Sequence, residues 1–152
     1  MRKITDQQII TLLEANNILA WEKLYDKYAG AMFGLICNLT DDKILAEEIF
    51  EVTFLQLKEN KVLTNVKFAL CPTLLRHTFS QTIKQLKAFG LTPKSFNPSE
   101  EVKLIHLLCT QCNSLQEVAS FLNLTGGETK KKLRAELLNL RNHFASAVTP
   151  DN

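Results

Sequence analysis

Long apolar runs are missing from this sequence. The longest, Ala29 to Cys37, is nine residues and contains two glycines, about half of the ~18 needed to span a bilayer. Arg2 and Lys3 run into Thr5, Asp6, Gln7 and Gln8 instead of an apolar segment, so no secretory leader is expected there. The expectation is no membrane insertion and a cytoplasmic location. Four cysteines are expected there as reduced thiols and not as a disulfide framework. There is little net charge, 18 basic against 16 acidic residues, or +2. Any nucleic-acid binding must therefore come from local patches and not from a global basic field. There is no phosphate loop, no His-Glu-x-x-His and no Ser-His-Asp set, and His77, His106 and His143 fall within helical stretches. The expected activity is binding and not catalysis, with no cofactor and no metal.

What is present is an ordinary globular balance. The 152 residues are 45% apolar and 22% charged, enough to bury a core. Only five glycines and four prolines occur, and no glycine lies between Leu35 and Phe89. The segment Gly90 to Ser99 holds one of those glycines and two of those prolines, which marks it as a linker. The predicted organisation is all-α, with two small helical domains, 1–89 and 100–152, joined by residues 90–99. No internal repeat or low-complexity tract interrupts them.

In the N-terminal part, Asp6 is placed to cap a short helix carrying Ile9, Ile10 and Leu13. Trp21, Leu24, Tyr25, Tyr28, Met32, Leu35, Ile36 and Leu39 then recur in steps of three and four, the periodicity of a helix and not of a strand. Thr40-Asp41-Asp42 is a turn and cap signal. Ala46, Ile49, Phe50, Thr53, Phe54 and Leu57 repeat the pattern. After Asn65 another helix is expected, to about Ala88, with Pro72 tolerable only near its first turn.

The C-terminal part reads as three shorter helices. Ser99 with Glu100 and Glu101 is a cap followed by first-turn acids. Ser114-Leu-Gln-Glu117 and Thr125-Gly-Gly-Glu128 both fit the capping box. A helix opening at Ser114 must end before Thr125, leaving about two turns and a tight corner near Asn123, a residue that tolerates the left-handed conformation. Short helix, tight turn and longer helix make a helix-turn-helix pattern.

Charge is locally segregated. From Asp41 to Glu59 six acids face two bases, net −4; from Lys61 to Gly90 there are five bases and no acid. These helices either present two surfaces to different partners or pair with each other. In the last helix Leu133, Leu137, Leu140 and Phe144 form the expected buried stripe. Lys131, Arg134 and Arg141 fall on another face, flanked by Lys130 and Lys132. A basic helix placed so would reach phosphates and base edges, and its glycine-led start offers backbone N–H groups to a phosphate.

Three stretches, in this order, resemble the RNA polymerase sigma factors of the short, extracytoplasmic-function type. Trp21-Glu-Lys-Leu-Tyr-Asp-Lys-Tyr-Ala-Gly-Ala-Met-Phe-Gly-Leu looks like the start of the family's region two. Asp41-Asp42-Lys-Ile-Leu-Ala-Glu-Glu-Ile-Phe-Glu-Val-Thr-Phe-Leu-Gln-Leu looks like its acidic polymerase-binding helix. Ser114 to Arg134 looks like the region-four helix-turn-helix. The resemblance spans nearly the whole chain. It implies a factor that binds core RNA polymerase and directs it to promoter DNA, with an anti-sigma factor as a further partner. It implies that Glu47, Glu48, Glu51 and Phe54 serve polymerase binding and that Arg76, His77, Lys84 and Lys87 lie near a captured minus-ten strand. Phe68 and Phe79 would be available there for stacking. Gly127, Glu128, Lys130, Lys131, Lys132 and Arg134 would belong to the duplex-reading helix. The chain departs from the pattern at Glu51-Val52, Lys58, Cys71-Pro72, Arg76-His77, Gln81 and Thr129. An alternative is accordingly a sigma-like module that binds an anti-sigma factor as a decoy, without initiating transcription.

His106-x-x-Cys109-x-x-Cys112 spaces three metal-ligating side chains over about 120° of one helix. The segment also fits the helix ahead of the helix-turn-helix, where buried thiols are expected.

Overall fold

Short polar side chains, Thr5, Asp42, Ser114 and Thr125, cap four of the described helices. The computed structural model describes residues 4–59, 61–63, 69–94 and 102–148, with side chains described up to residue 142. Among the described residues the chain is all-α: α1 (Asp6–Glu14), α2 (Leu19–Cys37), α3 (Lys43–Glu59), α4 (Leu70–Ala88), α5 (Lys103–Thr110), α6 (Leu115–Leu122) and α7 (Gly126–Val148). Asp42 caps α3, its carboxylate accepting from the Leu45 N–H at 3.1 Å. Pro72 falls in the first turn of α4, where its missing N–H costs nothing. The expected helical residues before Leu70, together with Phe68 and the Ser99 to Glu101 cap, lie outside the described residues, as does the side chain of Phe144.

The cap of α1 differs from expectation. Thr5, not Asp6, is the N-cap, and it exchanges bonds with Gln8 in a complete capping box. With that role filled one residue earlier, the Asp6 carboxylate turns to α2. It accepts from the Tyr28 hydroxyl at 2.7 Å and from Lys27 Nζ at 2.7 Å, which ties the first helix to the second.

The centre of the fold is α2, with α1, α3, α4 and α7 all packed on it. Leu24, Met32, Leu35, Ile36 and Leu39 are wholly buried, while Trp21 is half-buried and Tyr25 half-exposed. The apolar core is continuous from Ile9 in α1 through Leu74 and Leu75 in α4 and Leu104 and Leu108 in α5 to Leu140 in α7. So the helices before and after the proline-rich segment share one interior, and α5 bridges α4 and α7. A polar contact crosses the same boundary, and others tie the segment itself to the N-terminal helices. Arg76 on α4 donates to the Asn113 carbonyl at 3.0 Å. Lys94 donates its N–H to the Leu39 carbonyl at 2.8 Å and pairs with Asp41 at 2.6 Å. Gly90 is the left-handed residue that ends α4, at φ +70, and Leu91 N–H closes the turn on the Leu86 carbonyl at 2.8 Å.

α7 crosses α2 closely at Gly34. A Cβ placed on Gly34 would overlap the Leu140 carbonyl oxygen and stand 2.8 Å from its carbon. Both are backbone atoms that no rotamer change can move. Alanine gains about 1 kcal/mol of helix propensity over glycine, but overpacking costs about 1–3 kcal/mol or more. Gly34→Ala is therefore expected to destabilise the protein. A denaturation midpoint equal to or above that of the parent chain would show that the two helices do not meet this closely.

Candidate nucleic-acid interface and partner groove

The helix-turn-helix is built as its spacing predicts. Ser114 caps α6, accepting from the Glu117 N–H at 3.1 Å. The Glu117 carboxylate accepts from the Asn113 N–H at 2.7 Å, one residue earlier than the capping box anticipates. After two turns Asn123 takes the left-handed conformation, φ 56 and ψ 45, and Leu124 N–H reaches the Ala119 carbonyl at 2.9 Å. Thr125 then caps α7 in a full box: its hydroxyl accepts from the Glu128 N–H at 3.1 Å, and Glu128 Oε1 accepts from the Thr125 N–H at 2.9 Å. Val118 of α6 and Leu133 of α7 are buried. Thr129, polar where the resemblance calls for an apolar residue, is buried with its hydroxyl donating to the Thr125 carbonyl at 2.8 Å. The position costs little because its polar atom is satisfied.

The basic face divides into outward and inward parts. Lys130, Lys131 and Arg134 are exposed beside the open backbone of Gly126 and Gly127. Lys132 is half-buried and turns to Glu136 at 3.4 Å. Glu128 is held in the cap, and those bonds keep its carboxyl below the usual carboxylate range.

Glu136 was not legible in the sequence. It is 2% exposed in the middle of α7, yet both carboxylate oxygens are used. They accept from the N–H groups of Leu104 at 3.0 Å and Ile105 at 2.8 Å. Val102, at the start of α5, supplies no side-chain cap, so Glu136 caps that helix from across the fold. Burial pushes its carboxyl above the ordinary range, against the pull of the two N–H donors and Lys132. Standing three residues after Leu133 and four before Leu140, Glu136 falls on the edge of the apolar stripe. That spacing was the available signal, but a glutamate is seldom buried unless paired, and the stripe does not show which helix lies opposite.

The α4 residues named for a minus-ten strand are not all turned outward. Lys84 and Lys87 are exposed. Arg76 is exposed as well, but its guanidinium donates to the Asn113 carbonyl at the surface. His77 is half-buried with Nε2 3.4 Å from the Thr53 carbonyl of α3, and burial holds its pKa below the usual histidine value. Phe79 packs partly buried against the core. Among the described residues no ion pair joins an α3 acid to an α4 base, so the two charged faces stay separate.

Because α5 ends at Thr110, Cys112 lies beyond the helix that carries His106 and Cys109, and the three do not share one helix as expected; Cys109 is half-buried. Cys112 is buried, and the Cys109 thiol donates to the Leu75 carbonyl at 3.7 Å with its pKa pushed up to about 12 by burial. Among the described residues no group of three His, Cys, Asp or Glu side chains stands close enough together to hold a metal ion.

Separately, α2 and α3 frame an open groove of about 630 Å³ lined by Tyr25, Phe33, Phe50, Phe54, Glu47 and Glu51, among others. Its floor is an aromatic ladder. Tyr25 meets Phe50 and Phe54 edge-on at 6.0 and 5.6 Å, and Phe33 meets Phe50 at 6.2 Å. Lys58 lies 5.9 Å over the Trp21 ring. Glu47, Glu48 and Glu51 are exposed on α3, with Phe54 half-buried among the rings. The resemblance pointed to Phe54 and the acids; the contribution of Tyr25 and Phe33 from α2 required the helices to be set side by side.

Compared with known proteins, the chain matches no family model, no curated protein and no solved structure.

Because Glu136 satisfies two buried N–H groups, Glu136→Ala is expected to cost about 2 kcal/mol, a fall in Tm of roughly 4–8 °C for a chain of this size. Glu136→Gln keeps one acceptor and should lose about half as much. A thermal melt in which alanine matches the parent would remove the cap.

Proposed function

We infer that the chain is a sigma-like transcription initiation factor. Its α7 reads promoter duplex, and its acidic α3 with the adjoining aromatic groove engages core RNA polymerase. The observation that carries this reading is the two-turn α6, the left-handed Asn123 and the doubly capped α7 presenting Lys130, Lys131 and Arg134 to solvent. Such a helix start can enter a major groove with its open N–H groups on a phosphate and its cations on neighbouring phosphates and base edges. The groove supports the second half of the reading. A ring-lined trough with an acidic rim suits a helix carrying apolar and basic side chains.

A second reading is favoured by one specific observation. Arg76 and His77, two of the four α4 residues expected at a captured strand, are engaged within the chain, with Asn113 and with the Thr53 carbonyl. A decoy that keeps the fold and binds an anti-sigma factor has no need of them.

Capture of core polymerase by the purified full-length chain separates the two. The initiation factor binds core polymerase, and Glu48→Lys with Glu51→Lys abolishes the capture while helicity is unchanged. A decoy is not retained. For the duplex, Lys131→Ala and Arg134→Ala are each expected to weaken binding several-fold and to lower the salt slope by about 1. Unchanged affinity in both, with intact circular dichroism, would count against duplex reading by α7.

A further inference from the structure

The outward faces of α3 and α7 are complementary. At 100° per residue Ile44, Glu48, Glu51 and Leu55 lie within about 60° of arc on α3. Ile44 is 73% and Leu55 52% exposed, and both glutamates face solvent. On α7, Lys131, Arg134, Leu138 and Arg141 lie within about 80° of arc. Leu138 is 55% exposed and all three cations face solvent. Each face thus sets exposed aliphatic side chains among charges of one sign, acidic on α3 and basic on α7. Their lengths agree as well, about 16 Å from Ile44 to Leu55 and about 15 Å from Lys131 to Arg141 at the helical rise.

Among the described residues nothing covers either face. Both helices pack on α2, and their outer aliphatic residues remain in water. Among the described residues none of Glu48, Glu51, Lys131, Arg134 and Arg141 makes an ion pair. Only another molecule can bring a face like α7 against α3, and a second copy carries one.

We propose that two copies of this chain associate through these faces, α3 of each against α7 of the other. A two-fold arrangement makes the contact twice and closes the assembly. Each contact sets Leu138 against Leu55, with Lys131 and Arg134 against Glu48 and Glu51, since the two faces share the same steps of three and four residues. The whole-chain charge of +2 offers little repulsion to oppose it. The docking rests on the two faces alone. Its consequence rests on the function proposed above: the pair would cover both the polymerase-facing and the duplex-facing surfaces, so the dimer is the stored form and the monomer the active one.

Sedimentation equilibrium of the full-length chain, with neither DNA nor polymerase present, tests the docking separately from that function. A dimer is expected at low salt, with a dissociation constant rising at least about tenfold at high salt. Glu48→Lys with Glu51→Lys, and Lys131→Glu with Arg134→Glu, should each give a folded monomer. An equimolar mixture of the two variants should re-form a one-to-one pair, because swapping both signs restores attraction. A chain that stays monomeric at low salt, a dimer that survives either swap, or a mixture that fails to pair would each overturn the proposal.

Discussion

Where α7 crosses α2, the Leu140 carbonyl rests against Gly34 with no space for a methyl group. This approach lets a helix that begins as an exposed basic element end as part of the central core. Apolar burial drives the contact. A wholly buried leucine such as Leu140 contributes about 1.5–3 kcal/mol, more than a surface ion pair on the outer face would supply. With α7 held by its second half, the first half is presented at a fixed angle, and α6 is positioned by Val118 packing under it.

The polar groups of the interior follow from the same arrangement. Bringing α7 against α5 buries the start of α5, whose N–H groups have no local cap, and Glu136 arrives on α7 to accept them. A buried carboxylate is costly unless its oxygens are satisfied, and here each has a backbone donor. Thr129 obeys the same rule on a smaller scale. Asp6, part-exposed at the edge of the core, is held by Tyr28 and Lys27. In each case a polar residue on one helix completes the hydrogen bonding of another part of the backbone or core.

Charge is distributed by the order of packing around α2. The acidic face of α3 and the basic start of α7 each lean on the same central helix, and each keeps its outer side in solvent. The basic helix α4, by contrast, uses Arg76 and His77 to hold α5–α6 and α3. A cation seen in sequence therefore has two fates, and the neighbouring elements decide between them: Lys131 and Arg134 stay available, whereas Arg76 and Lys132 are engaged with residues of the chain.

The sequence by itself determined the local events. Steps of three and four among Leu24, Tyr28, Met32, Leu35 and Leu39 placed α2. Thr125 with Glu128 placed the start of α7, Asn123 the corner, and Gly90 the end of α4. These rest on periodicity, caps and backbone preference, which act within about one helical turn. Glu47, Glu48 and Glu51 could be read as an exposed acidic face for the same reason. The tertiary structure decided what depends on distant neighbours: the burial of Glu136, the binding of Arg76 by Asn113, the pairing of Tyr25 with Phe50 and Phe54, and the seating of α7 on α2. Burial and partner choice at those residues depend on which helix lies opposite, and a helical repeat carries no record of its neighbour.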